Sequence, residues 1–224
     1  MKKQKPSSEA QARADQQERD RELLLALLLL YFWPVAVEMR KRLDAGENPT
    51  AVLHALQAYI IESIASSKKQ ARARVIGDIH ELTGNVVDPK YLEAPQGQAI
   101  ADREQAKEYF DVLNAHLKNN NYDEKVMEPV VGPDPYVTES VISSAIHVAY
   151  VDEVQRLNNE LGYVVAYQYV TMRDDRVRPR HREQEGKIIK YDDVDMLAYW
   201  GELLNDWNCR CQVIALYSRP ASDN

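Results

Sequence analysis

Apolar positions along this chain recur at helical spacing from residue 23 to about residue 161, then switch to strand-like alternation. Leu23 to Trp33 is an unbroken apolar run of 11 residues closed by Pro34, and Val35 to Leu43 continues as helix. Gly46-Glu47-Asn48-Pro49 interrupts the pattern, with Asn48 placed to cap a new helix and Pro49 at its first turn. In that helix Val52, Leu53, Leu56, Tyr59, Ile60 and Ile64 fall mostly three and four apart, which marks one buried stripe running on to about His80. Thr83-Gly84-Asn85 and Pro89 to Gly97 read as loop. Ala106, Tyr109, Phe110, Leu113 and Leu117 trace another amphipathic helix, ended by Asn119-Asn120-Asn121. Pro129, Gly132, Pro133 and Pro135 form the best internal boundary. A long helix from about Thr138 to Leu161 follows, and Gly162 stops it.

Past Gly162 the period becomes two. Tyr163 to Thr171 predicts a strand with Tyr163, Val165, Tyr167 and Tyr169 on one buried face. Lys187 to Tyr191 predicts a short edge strand bracketed by lysines. Asn208 to Tyr217 alternates, with Cys209, Cys211, Val213 and Ala215 sharing an inner face and Asn208, Arg210 and Gln212 the other. The fold class expected is α+β: a mainly helical N-terminal region followed by a small C-terminal domain with a short β-sheet. The corresponding divisions are a polar tail over 1–22, a helical region over 23–135, an α+β domain over 136–217 and a short tail over 218–224.

Composition narrows the function classes. A formal net charge of −7 in 224 residues argues against coating nucleic acid by bulk electrostatics. The local run Lys68, Lys69, Arg72 and Arg74 reads first as a solvated helix face. Its functional alternative is a weak, salt-sensitive DNA contact, shared with the arginine-rich segment from Arg173 to Arg182. Leu23 to Trp33 is shorter than the roughly 20 apolar residues a membrane span needs. It is expected to be a helix buried in the chain's own core or against another subunit, with no membrane partner. Two cysteines one residue apart make no disulfide framework, so a reducing compartment with free or metal-bound thiols is expected.

The chemistry gathers in the last quarter. Asp174, Asp175, Arg176, Arg178 and His181 are followed by Gly186 and then by Trp207, Cys209 and Cys211. Three arrangements suit these residue types. A structural knot ranks first: Asp174 or Asp175 pairs with Arg176 or Arg178, His181 bonds a backbone carbonyl, and Trp200 and Trp207 cap a small sheet. A zinc site ranks second, with His181, Cys209 and Cys211 as candidate ligands and Asp174 or Asp175 as the fourth. Catalysis ranks third, because inward-facing cysteines beside Val213 are more often inert core. The expectation is therefore no catalytic residue and no cofactor, with zinc as the alternative.

At these same residues the chain resembles a known family. Thr171-x-x-Asp174-Asp175-Arg176-Val177-Arg178-Pro179-x-His181, the downstream Gly186, and Asn208-Cys209-Arg210-Cys211 are similar to the signature of the phage Mu F-like minor head proteins, also called phage head morphogenesis proteins. The likeness covers residues 163–216. Family members often carry a proline directly before Asn-Cys-Arg-Cys, where this chain has Trp207. The resemblance implies a non-enzymatic virion component inside the head near the portal, acting in head assembly and in DNA packaging or ejection. It implies a portal protein as partner, with scaffold or major capsid protein as further candidates, and docking through the helical region 23–135. With the motif strand closing near Leu216, no fused toxin domain is expected. The reading from another class is a metal- or thiol-dependent enzyme acting on nucleic acid or protein, or a zinc-stabilised DNA-binding module.

Overall fold

A computed structural model describes residues 8–47, 50–119, 137–204, 206 and 209–218. Its helices are α1 (Ser8–Asp44), α2 (Thr50–Thr83), α3 (Gln98–Asn119), α4 (Val137–Leu161), the single turn α5 (Pro179–Arg182) and α6 (Val194–Leu204). The strands are β1 (Val164–Val170), β2 (Ile188–Lys190) and β3 (Gln212–Tyr217), and Pro89–Leu92 forms a 3-10 turn. The molecule is α+β, as the change of period implies. Asn48, Pro49, the Pro129 to Pro135 break and Trp207 lie outside the described residues.

The apolar stripe of α2 is the spine of the helical part. Leu56, Ile60 and Ile64 of α2 join Ala106 and Leu113 of α3 and Val141, Ile142, Ala145, Ile146 and Ala149 of α4 in one buried cluster. Small residues on α4 let the helices come close, and the Ser67 hydroxyl donates to the Ile146 carbonyl at 2.7 Å. Farther along the same pair, Ala71, Val75 and Ile79 meet Tyr150, Val154 and Leu157. Helix α4 thus completes the bundle and, through Gly162 at φ 70°, delivers the chain into β1.

The basic run does not form a free cationic face. Lys68 pairs with Asp102 at 2.7 Å, Arg72 with Glu153 at 2.8 Å and Arg74 with Asp78 at 3.0 Å. Arg72 is buried and also donates to Gln98 Oε1 at 2.8 Å. Lys68 and Arg72 tie α2 to α3 and α4, Arg74 stays within α2, and only Lys69 of the four is exposed. Counting charges along one helix could not reveal acids arriving from two others.

The first 22 residues do not behave as a polar tail where they are described. Helix α1 starts at Ser8, and Ala10 and Ala14, one turn apart, close on Val170 and Ile214. Between them Arg13 donates to the Ala215 carbonyl at 2.7 Å and to Asp78 at 2.7 and 3.2 Å, and lies over the Tyr217 ring. Alanine methyls permit close approach while the long polar neighbours reach partners around the contact, so a polar composition hides a buried face. The backbone stays helical through the Leu23 to Trp33 run and Pro34. The side chains of Leu27, Leu28 and Trp33 lie outside the described residues. Among the described residues no helix is long and apolar enough to cross a membrane.

The sheet is antiparallel in the order β2-β1-β3. Tyr167 and Tyr169 are buried as expected, but Val165 is 48% exposed. A register shift between Val164 and Ala166 against β3 reverses the alternation at that point. The opposite face is also covered, because Val170 and Ile214 lie under Ala10 and Ala14 of α1. β2 is the edge strand foreseen. β3 is shorter than the alternation suggests: Cys209 and Cys211 precede it, yet both share a core with Val213 and Ala215. Helix α6 is an unforeseen element. Asp193 caps it by accepting from the Met196 amide at 3.2 Å, and Trp200, Leu203 and Leu204 bury its inner side.

Two outcomes follow from these buried ion pairs. Asp78→Ala strips Arg13 of its carboxylate and should cost about 3–5 kcal/mol in urea unfolding, with limited proteolysis now cutting within Ser8 to Asp20. Uncut protein of unchanged stability would mean that α1 is not held by this pair. Burial pushes the Glu153 carboxyl up, but Arg156 and Arg72 outweigh it and leave it below its ordinary value. A depressed carboxyl stabilises the fold fully above the unfolded value and loses that contribution as pH falls through the folded one. Glu153→Gln should therefore lower the urea midpoint at about pH 7 and flatten its decline toward about pH 3.

Candidate functional site

The motif begins where β1 ends. Thr171 is buried, and its amide donates to Glu185 Oε2 at 2.6 Å, while Arg173, at φ 57°, pairs with Glu185 at 2.7 Å. Asp174 Oδ1 accepts from the Arg176 amide at 3.1 Å, a local turn that short acidic side chains favour. Pro179 then presets the first residue of α5, the turn that carries His181 inward. Gly186, at φ 73°, reverses the chain into β2, and its amide donates to the Tyr169 carbonyl at 2.9 Å. The whole excursion from residue 171 to 187 thus returns to the strand it left.

His181 is 1% exposed and makes contacts through both ring nitrogens. Nε2 lies 2.7 Å from Asp206 Oδ2. Nδ1 lies 3.1 Å from Tyr169 Oη, 3.6 Å from Cys209 Sγ and 3.5 Å from Cys211 Sγ. The two thiols and the imidazole offer ligand atoms all within 4.8 Å of one another, the arrangement a metal ion would use. Asp206 is itself ringed by cations, pairing with Arg180 and standing 3.6 Å from Arg178. The Trp200 ring packs on Tyr169 with centroids 5.3 Å apart, and its indole N–H donates to Gln184 at 3.4 Å.

Electrostatics follow from this crowding. The Cys211 thiol donates toward Cys209 and, despite burial, His181 adds to it, so the Cys209 thiol falls below its ordinary value. Cys211 rises, because a second thiolate beside the first and burial both oppose ionisation. The Cys209 contact raises His181 against burial, with Asp206 adding to it. Burial pushes Asp206 up, but His181 and Arg180 outweigh it and hold the carboxyl low. Burial, then the neighbouring sulfurs, raises the Tyr169 phenol.

Of the residues expected to form one site, His181, Cys209 and Cys211 converge. Asp174 and Asp175 do not join them: Asp174 pairs with Arg210 and stands 3.7 Å from Arg176, while the Asp175 carbonyl accepts from Arg182 at 3.2 Å. Asp174 pairs with Arg176 as the knot reading expected, Arg178 stands beside Asp206, and His181 takes a carboxylate in place of the expected carbonyl. Asp206, Tyr169, Gln184 and Glu185 are the participants sequence reasoning missed. The available signal was Asp206, an acid three residues before Cys209 that could have been weighed as a histidine partner. Cys209, His181 and Asp206 also follow the order of a thiol, a base and its orienter. Cys209 is 5% and Cys211 3% exposed, so these thiols are sealed from any substrate that does not open the module.

The family described as phage Mu protein F like protein matches residues 140–214. The "Putative capsid assembly protein F" of Escherichia phage Mu is 40% identical over 50 residues, covering 22% of this chain and 11% of that protein. The Mu-like prophage FluMu F protein of Haemophilus influenzae is 31% identical over 131 residues, covering 53% of this chain and 30% of that protein. The chain therefore spans less than a third of the length of these curated relatives. No solved structure matches it. The matched stretch contains most of α4, all of β1, the motif excursion and the convergence of His181, Cys209 and Cys211, and over it the chain is similar to the phage Mu protein F-like family.

Proposed function

We propose that this chain is a structural minor head protein of a tailed phage, acting without catalysis in head assembly. The observation that supports it best is where the family motif goes. Its polar residues are spent on one another, Asp174 on Arg210, Arg178 and Arg180 on Asp206, and Asp206 on His181, so the motif ties its own module together around a buried histidine. The capsid assembly named for the phage Mu relative agrees with that use.

The finer reading assigns a position inside the head beside the portal. Helix α1 carries the apolar run from Leu23 to Trp33, which suits burial against a portal subunit or a sister copy; scaffold and major capsid protein are further partners. DNA contact, during packaging or ejection, would be weak and salt-sensitive. It would fall to the guanidinium groups of the Arg173 to Arg182 turn, which stay exposed although they are paired, since Lys68, Arg72 and Arg74 of α2 are largely covered.

The test is genetic and biochemical together. Phage lacking this chain should yield defective heads, and the protein should co-sediment with purified portal rings. Leu27→Asp combined with Leu28→Asp should abolish that co-sedimentation. Wild-type heads formed in its absence, or a protein that remains with membranes after alkaline washing, would overturn the proposal.

A further inference from the structure

We infer that His181 Nδ1, Cys209 Sγ and Cys211 Sγ bind one structural zinc ion, with Tyr169 Oη at the fourth corner and Asp206 orienting the imidazole. The inference concerns the stability of the module and stands independently of the head-assembly reading.

Distance is the first argument. Zinc binds thiolate sulfur at about 2.3 Å and imidazole nitrogen at about 2.0–2.1 Å, so a tetrahedral centre separates the two ligand atoms by about 3.6 Å. The two sulfurs stand 3.6 and 3.5 Å from Nδ1. A tetrahedral edge between nitrogen and oxygen ligands is about 3.3 Å on the same bond lengths, and Tyr169 Oη lies 3.1 Å from Nδ1. The three edges that meet at Nδ1 therefore already have tetrahedral lengths, and the two sulfurs lie within 4.8 Å of each other.

Hydrogen-bond bookkeeping is the second argument. Two thiols and a phenol, all donors, converge on Nδ1, which has one lone pair to offer when Nε2–H donates to Asp206. At most one of the three donors can use that lone pair, and without a metal the others are left to one another, as Cys211 is to Cys209, in a site closed to bulk water. A cation at the centre offers the alternative, in which all four groups present lone pairs to it. Binding moves protons simply: the two thiol protons leave to solvent, and the imidazole and phenol coordinate as neutral ligands. Two thiolates balance the two charges of zinc, which leaves a neutral buried centre.

The remaining support is Asp206. A ligating histidine usually donates its other N–H to a carboxylate, which fixes the ring and increases its basicity. Asp206 does this at 2.7 Å and is held in turn by Arg180 and Arg178. The ion would join three stretches far apart in sequence: Tyr169 on β1, His181 on α5, and the pair of cysteines before β3. Convergence in space thus reverses the order in which residue types alone place a packed knot ahead of a metal.

The full chain, purified from zinc-supplemented cells, should carry about one zinc per molecule by elemental analysis. Replacing zinc with cobalt should give the visible spectrum of a tetrahedral site with a thiolate charge-transfer band, a readout that needs no variant. Cys209→Ser with Cys211→Ser should lose the zinc and lower Tm. Asp206→Asn should keep one zinc but weaken its affinity about 10- to 100-fold in competition with a chromophoric chelator. Metal-free wild-type protein that gives no thiolate band on adding cobalt would overturn the inference. So would retention of zinc by the double cysteine variant.

Discussion

The bond between the buried His181 imidazole and Asp206 is the constraint on which the C-terminal module depends. It is the point where the excursion after β1 meets the excursion before β3. Without it the strands would still pair, but α5 and the segment carrying Cys209 and Cys211 would be joined by charge only through the more exposed pairs of Arg178 and Arg180 with Asp206 and of Asp174 with Arg210. Asp206 can serve because it is not a lone buried charge: Arg180 and Arg178 share it from the solvent side. The imidazole can stay buried because both nitrogens have polar neighbours. The result is a graded site, charged outside, polar at the histidine, and sulfur and aromatic rings within.

A second constraint joins this module to the helices. A three-stranded sheet with one covered face would leave Val170 and Ile214 open, and α1 closes them. Arg13 makes that contact specific by meeting the Ala215 carbonyl, the Tyr217 ring and Asp78 at once. Since Asp78 belongs to α2, one guanidinium connects the N-terminal helix, the bundle and the sheet. The carboxylates of Asp102 and Glu153 do similar work with Lys68 and Arg72 inside the bundle. Charge that looks solvent-directed along the chain is consumed between elements, which leaves the Arg173 to Arg182 turn as the more exposed cationic feature.

For the proposed role in head assembly, this division of labour is informative. The motif residues hold their own module together, so a partner would meet the surface they organise and not the motif chemistry itself. Helix α1 contributes both to the internal closure, through Ala10, Arg13 and Ala14, and to a long apolar stretch beginning at Leu23. A helix anchored firmly at one end can present its remainder to another subunit in a defined direction.

The sequence by itself determined the helix bundle, the switch to strands after Gly162, the edge character of β2 and the inward facing of both cysteines. Each of these is a local periodicity or a local stop signal, and a 3.6- or 2-residue period is set by backbone geometry alone. It also marked His181, Cys209 and Cys211 as candidates, because their residue types have few other uses together. Only the tertiary structure decided their partners. Asp174 went to Arg210, Asp206 took His181, and the basic run of α2 found acids on α3 and α4, since opposite charges choose by distance in space and not along the chain. It likewise decided that residues 8–22 are docked helix and that Val165 turns outward. A close-packed alanine face carries too little hydrophobicity to read from composition, and a register shift is a property of two strands that neither strand encodes alone.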